Sequence, residues 1–427
     1  MDTIEIARLR LTRRWISLAC LTALSVWQSA AFSQSSGALD FDGALRVAEQ
    51  NSPLLRARTA STQGVAALEA SAALLPDPKV TLGIADFPVN GPNKGSLTRD
   101  NFTMRQIGVN QDVPSRAKRA ARAEVASART ERERAMQRLD ALTVRRETGL
   151  AWIARFYAEK RLALIDTLID QQRQLVVTSP AQYAAGKSSA AAVPLARLDA
   201  LALTDRRDEM RKDVTQARLL LERWVGSSST TAATQLTGEL PSFKVDIPTL
   251  RANIERSPDI ALLTPQRNVA QAEVREADAA KVGDWGWGVS YGRRGQGYGD
   301  LVSVQLTFEL PLAPNERQQP LVRAKQKELE RLTSEREDLV RKQTQELDSL
   351  LAELDETRSK LTRLMTEAQP LAAQRSALTL AAYESGRDTL SAVLDARKQQ
   401  TELSLRALEL QGKQAAVQWR LNTFVAE

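Results

Sequence analysis

Histidine is absent from the 427 residues, and the single cysteine, Cys20, lies close to the N-terminus. Without His, neither a Ser-His-Asp triad nor a Cys-His dyad can be assembled. If the segment carrying Cys20 is removed, the mature chain also has no disulfide and lacks the commonest soft-metal ligands. Aromatic residues make up only 5% of the chain, too few for an ordinary mixed core of this length. No GxGxxG or P-loop pattern comes after a strand pattern. The one glycine-rich run, Gly292-Arg-Arg-Gly295-Gln-Gly297-Tyr-Gly299, joins two strand patterns and reads as a hairpin loop. Met104, Met136, Met210 and Met365 are scattered and form no thioether relay. Acidic groups such as Asp205/Asp208/Glu209 and Asp348/Glu353/Asp355 fall on strongly polar helix faces, where salt-bridge partners are the expected role. An enzyme is therefore disfavoured, and neither a cofactor nor a resident metal is expected.

Met1 to Ser33 has the layout of a secretory signal peptide. Arg8, Arg10, Arg13 and Arg14 form a positive region, Trp15 to Trp27 a mostly apolar one, and Ser29-Ala30-Ala31 or Ala31-Phe32-Ser33 offers small residues for cleavage. The apolar run is too short to span a bilayer comfortably. Ser17-Leu18-Ala19-Cys20 departs from a lipoprotein site, with Ser three before the Cys, so lipidation at Cys20 is not expected. Taking the segment's four Arg and two acids from the formal +7 leaves about +5 on the mature chain. Those cations alternate with Glu along helices, so nucleic acid is not an expected partner.

Long helices and a duplicated stretch are what the chain does have. Tyr183-Ala-Ala-Gly186-Lys187, followed by Val193, Ala196 and Arg197, is matched 200 residues later by Tyr383-Glu-Ser-Gly386-Arg387, followed by Val393, Ala396 and Arg397. Gly past a helix end can take the left-handed C-cap conformation, and the basic residue after it lies near the negative end of the helix dipole. Each copy reads as the tip between two long helices. The same duplication recurs upstream: Leu45 and Leu250, and Ser52-Pro53 and Ser257-Pro258, keep one common offset. We read a two-fold internal repeat, with residues 34–226 and 246–427 as its halves and 227–245, including Ser227-Ser-Ser-Thr-Thr, as the linker.

Each half opens with helices, begun by Asp40 and Asp246 and broken at the Ser-Pro pairs; the first Ala-rich helix runs to Leu75 before Pro76-Asp77-Pro78, the second to Ala280. The hydrophobic period then changes from 3.6 to 2. Strands are expected at about 79–86, 101–113, 284–291 and 301–310. Val80, Leu82 and Ile84, then Trp285, Trp287 and Val289, then Val302, Val304 and Leu306 make apolar faces alternating with Thr, Gly, Ser and Gln. A phase slip between Met104 and Ile107 suggests a bulge. Such strands fit a membrane β-barrel, but four are too few to close one, since about eight are needed. Either the strands are soluble, or several chains pool them. Helical patterns of about 65 and 70 residues come next, each roughly 100 Å long, with coiled-coil spacing and with bends expected at Pro180 and Pro370.

Taken together, the cleavable signal, the doubled helix–strand–strand–helix–tip–helix order and the Tyr-x-x-Gly tips resemble the TolC-type family of outer-membrane efflux ducts. The motifs that carry the resemblance are Tyr383-Glu-Ser-Gly386 with Val393-Leu394-Asp395-Ala396-Arg397, Gln111-Asp-Val-Pro114 and Phe308-Glu-Leu-Pro311. It implies a mainly helical homotrimer, with long helices forming an α-barrel and four strands per chain shared in one twelve-stranded transmembrane β-barrel. It also implies a periplasmic adaptor (membrane fusion) protein, an inner-membrane resistance-nodulation-division pump and outer-membrane lipid as partners, in a Gram-negative outer membrane. Ala185, Gly186, Lys187, Ser188, Ser385, Gly386, Arg387 and Asp388 would contact the adaptor, and Tyr383 and Asp395 are the candidate gate. Ala392 stands where family members often carry a second acid. Leu74-Leu-Pro-Asp-Pro78, Phe87-Pro-Val-Asn-Gly-Pro92 and Thr103-Met-Arg-Gln-Ile-Gly-Val109 resemble the heavy-metal efflux subgroup. The competing reading is a periplasmic coiled-coil scaffold or adaptor without a pore.

Overall fold

The structure is a computed structural model, described for residues 39–184, 190–226, 236, 238–295 and 297–425. The expected signal peptide with Cys20, the first-tip residues Ala185, Gly186, Lys187 and Ser188, and most of the linker lie outside the described residues. Helices α1 (Phe41–Asn51) and α2 (Pro53–Ser71) lead to strands β1 (Lys79–Ala85) and β2 (Met104–Val113). Next come α3 (Arg116–Ala184), α4 (Ala192–Val225), the short α5 (Ile247–Ala252), a 3-10 turn (Ile254–Arg256) and α6 (Pro258–Ala279). Strands β3 (Trp285–Arg294) and β4 (Leu301–Phe308) are followed by α7 (Pro314–Arg363), a π turn (Leu364–Ala368), α8 (Gln369–Glu384) and α9 (Leu390–Asn422).

Local chemistry explains the breaks. Asp40 caps α1 by accepting from the Gly43 amide at 2.9 Å, and Phe41, Ala44, Leu45 and Ala48 bury one face at helical spacing. Ser52 accepts from the Leu55 amide at 3.3 Å and Pro53 stands at the first helical position, so the Ser-Pro break ends one helix and starts another. Helix α2 stops at Ser71, short of the Pro76 expected to end it, and unwinds through the bonds Ala72 N to Glu69 O and Leu74 N to Ser71 O. The long α3 passes Pro180 without interruption. At Pro370 the irregularity takes the form of the π turn just before it, where the Gln369 amide donates to the Leu364 carbonyl, five residues back.

Helix α3 packs along α2, α4, α6 and α9, and α7 packs along α6 and α9. Their main core lies near the middle of α3, where Phe41 meets Trp152 edge-on at 5.4 Å and Trp419 edge-on at 5.0 Å. Both buried indoles are satisfied: Trp152 Nε1 donates to the Leu39 carbonyl at 3.2 Å, and Trp419 Nε1 to that of Arg146 at 2.9 Å. Trp419 also lies against Gly149, where a Cβ would fall 2.3 Å from its Nε1. At about 1.5 Å per residue, this core stands about 54 Å along α3 from the sheet, and the tip about 48 Å beyond it. A second cluster, Leu347, Leu350, Leu351 and Leu354 with Val417, Leu421 and Phe424, joins α7 to α9.

The four strands form one antiparallel sheet in the order β1-β2-β3-β4. Pairing runs unbroken from Lys79↔Asn110 to Ala85↔Met104, so the expected bulge is absent. The phase change has a simpler cause: Met104 points to the opposite face from Ile107 and lies against Gly292. Strand β2 starts at Met104, later than expected, and β3 extends through Arg294, so Gly292 pairs within the sheet.

Candidate membrane-facing sheet and helical tip

Because directly paired residues share a face, the register fixes what each side of the sheet presents. One side carries the rows Leu82↔Ile107↔Tyr291↔Val302 and Val80↔Val109↔Val289↔Val304, with Trp287↔Leu306 and Trp285↔Phe308 beyond them. This apolar surface is open across all four strands; Leu82 is 77% exposed and Val304 71%. Its reverse carries Thr81, Gly83, Gln106, Gly108, Asn110, Gly286, Gly288, Ser290, Ser303, Gln305 and Thr307. A sheet in water would hide its apolar side against a helix or second sheet. Among the described residues no such layer covers it, and the contiguous apolar patch is of the kind that marks a lipid or protein contact.

The sheet is tied to the helices at one end. The Ser115 amide donates to Asp284 Oδ1 at 3.1 Å and Lys118 Nζ lies 2.9 Å from the same oxygen. The Glu309 amide donates to the Asp284 carbonyl at 2.8 Å. One aspartate thus joins the starts of α3 and β3 to the end of β4.

At the other extreme is the α8–α9 tip. Gly386 has φ +72°, in the left-handed region. The Arg387 amide donates to the Ala382 carbonyl at 2.8 Å and the Gly386 amide to that of Tyr383 at 2.9 Å, which together make a Schellman cap. Ser385 Oγ donates to the Ala381 and Ala382 carbonyls and accepts from Arg387 Nε at 3.0 Å. Thr389 then caps α9 by accepting from the Ala392 amide at 3.3 Å, close in sequence to Ser385 and Asp388.

Tyr383 is 8% exposed and packs among Ala192 and Ala196 of α4 and Leu390, Val393 and Leu394 of α9. Burial pushes its phenol pKa up. Tyr183, its counterpart in the first copy, is 51% exposed. Asp395 is exposed on α9, and a second acid lies near it on α4. Burial pushes the Asp199 carboxyl up, Lys398 works against this, and the charge of Asp395 adds to the rise. Asp199 of α4 thus lies within the field of Asp395 on α9, a proximity that no sequence spacing could reveal. Among the described residues no group of His, Cys, Asp and Glu could hold a metal ion, and no helix is long and apolar enough to cross a membrane.

No family model matches the chain, and no curated protein matches it. Solved structures do. The Campylobacter jejuni CmeC outer membrane channel superposes with a TM-score of 0.75 at 12% identity, covering 90% of this chain and 85% of that one. The outer membrane protein VceC of Vibrio cholerae gives 0.72 at 16% identity, over 90% and 96% of the two chains. The Neisseria gonorrhoeae MtrE outer membrane channel, in its open state, gives 0.71 at 15% identity, over 90% and 88%. The chain has the fold of these outer membrane channels. At such identities the likeness lies in architecture, and it spans nine-tenths of this chain.

Proposed function

We propose that the protein is the outer-membrane exit duct of a tripartite efflux system: a passive, water-filled path whose transport energy comes from a proton-driven inner-membrane pump. The observation that carries this reading is the uncovered apolar face spanning all four strands, backed by a polar, glycine-rich face. Three copies would pool their strands into a twelve-stranded barrel, above the minimum of about eight. Strands β1 and β4 lie at the two edges of the sheet, and antiparallel order is kept when β4 of one copy meets β1 of the next. The two-fold repeat, the 1–33 signal, the halves at 34–226 and 246–427, the 227–245 linker and the coiled-coil α-barrel belong to the same proposal. Both tips would meet the periplasmic adaptor, with Tyr383 and Asp395 closing the duct at rest and Asp199 beside them. Heavy-metal cations are the proposed cargo, on the strength of the motifs at 74–78, 87–92 and 103–109.

A periplasmic scaffold without a pore would leave Leu82, Val304, Trp285 and their neighbours in water, and nothing in the described residues favours it. Two measurements test the proposal. The purified protein should need detergent for extraction, run as a heat-modifiable trimer and conduct ions in planar bilayers; a soluble monomer without conductance refutes the duct. A deletion strain should become sensitive to divalent metals, silver or copper. Sensitivity confined to amphiphilic drugs would overturn the cargo and leave the duct standing.

A further inference from the structure

The apolar face of the sheet ends in charge. Arg105 on β2 stands directly opposite Arg293 on β3. They share the face of Ile107 and Tyr291, the next pair in along that face, and Arg105 also stands opposite Ile84 on β1. Both are exposed. Like charges placed opposite each other across strands repel, and neither guanidinium has an ion-pair partner among the described residues. Tyr291, next along that face from Arg293, donates its hydroxyl to Asp300.

Their position along the sheet is specific. The helices join at the Trp285 end, so the Arg pair sits at the far rim. Trp285 to Arg293 is about 27 Å along the strand, or about 20 Å of height at barrel tilt, close to the ~25 Å apolar band of such barrels. The two cations therefore stand where acyl chains give way to headgroups on the side away from the helices.

Resting on the outer-membrane reading above, we propose that Arg105 and Arg293 together bind a phosphate of an anionic glycolipid of the outer leaflet. A phosphate has the charge to cancel the repulsion, and two guanidinium forks match its oxygens. The lipid's acyl chains would lie along Leu82, Ile107, Tyr291 and Val302. Arginines that merely extend to water would need no particular lipid.

The test uses the full-length protein in nonionic detergent, with thermal melting recorded while bis-phosphorylated lipid A or its dephosphorylated form is added. The phosphorylated lipid should raise the wild-type midpoint and the dephosphorylated one should not. The pair R105Q/R293Q should lose that gain, with apparent affinity lower by at least about tenfold. Without lipid its midpoint should equal or exceed wild type, because the repulsion is gone. Arg294→Gln, on the opposite face with Met104, should keep the response. Equal stabilisation of wild type and the double variant, or by both lipids, overturns the site. A detergent-dependent trimer indifferent to lipid phosphate sinks this inference alone. Extraction without detergent defeats the outer-membrane reading and the lipid site with it.

Discussion

Val304 and Gln305 are neighbours on β4 that face opposite ways, so one pair of arginine substitutions can ask which side of the sheet meets lipid. Val304 closes the row Val80↔Val109↔Val289↔Val304, while Gln305 stands opposite Gly288 on the polar side. Both positions lie mid-strand, and both are exposed in the single chain, so neither change creates a cavity or a clash that would confuse the result. An arginine on a lipid-facing position costs about 2–4 kcal/mol at the bilayer midplane and little on the water side. In a trimer that penalty applies three times, roughly 6–12 kcal/mol. Even the lower single-chain figure corresponds to about a thirtyfold shift in equilibrium. Outer-membrane fractions should contain far less heat-modifiable trimer for Val304→Arg than for Gln305→Arg, which should be close to wild type. Equal losses, or a greater loss for Gln305→Arg, would refute the assignment of the two faces.

Gly386→Val forces a β-branched residue into the left-handed region at φ +72° but meets no neighbouring atom. The cost should be about 1–2 kcal/mol and local, leaving a folded trimer whose adaptor cross-linking and export are lost. Gly149→Ala gains up to about 1 kcal/mol of helix propensity, yet its Cβ must displace Trp419 and threaten the 2.9 Å bond to the Arg146 carbonyl. Overpacking of about 1–3 kcal/mol wins, and thermal melting should show net destabilisation. Burial alone would raise the Glu273 carboxyl, but Lys325 at 2.7 Å and Arg129 at 2.8 Å hold it below its ordinary value. A depressed carboxylate stabilises above its unfolded pKa and loses that contribution as pH falls through the folded one. Glu273→Gln should cost up to about 1 kcal/mol at neutral pH, and wild type and variant should converge in acid.

Much of this fold is legible because the sequence carries two clean periods. The switch from 3.6 to 2 marks the entry to each strand pair at β1 and β3, and prolines at 114 and 311 mark where strands give way to helices. Boundaries are less legible where pairing overrides local preference. Gly292 reads as a turn residue, yet β3 continues through it because Arg105↔Arg293 and Met104↔Arg294 extend the ladder. The end of α2 escapes the sequence for the opposite reason: a proline restricts the residue just before it, but it does not pull a helix up to itself. The π turn before Pro370 has no signature beyond the proline.

The tip shows why spacing alone stops short of a site. Tyr183 and Tyr383 belong to matching motifs, yet Tyr183 stays open while Tyr383 is enclosed by α4 and α9. A motif records the order of residues along one segment and carries no information about the surface that comes to lie across from it. Burial of Tyr383 depends on Ala192 and Ala196, far upstream in the other half, being small enough to admit a phenol ring. The same holds for Asp199, which acquires meaning only because α4 brings it within the field of Asp395 and Lys398. Asp199 is partly buried and feels the charges of both Asp395 and Lys398, so contact between α4 and α9 depends on charge as well as packing. Packing at Tyr383 and charge at Asp199 therefore act on the same helix pair, which is the physical reason the proposed duct has its movable closure there and not in the well-packed aromatic core, about 36 Å away along α9 from Asp395 to Trp419.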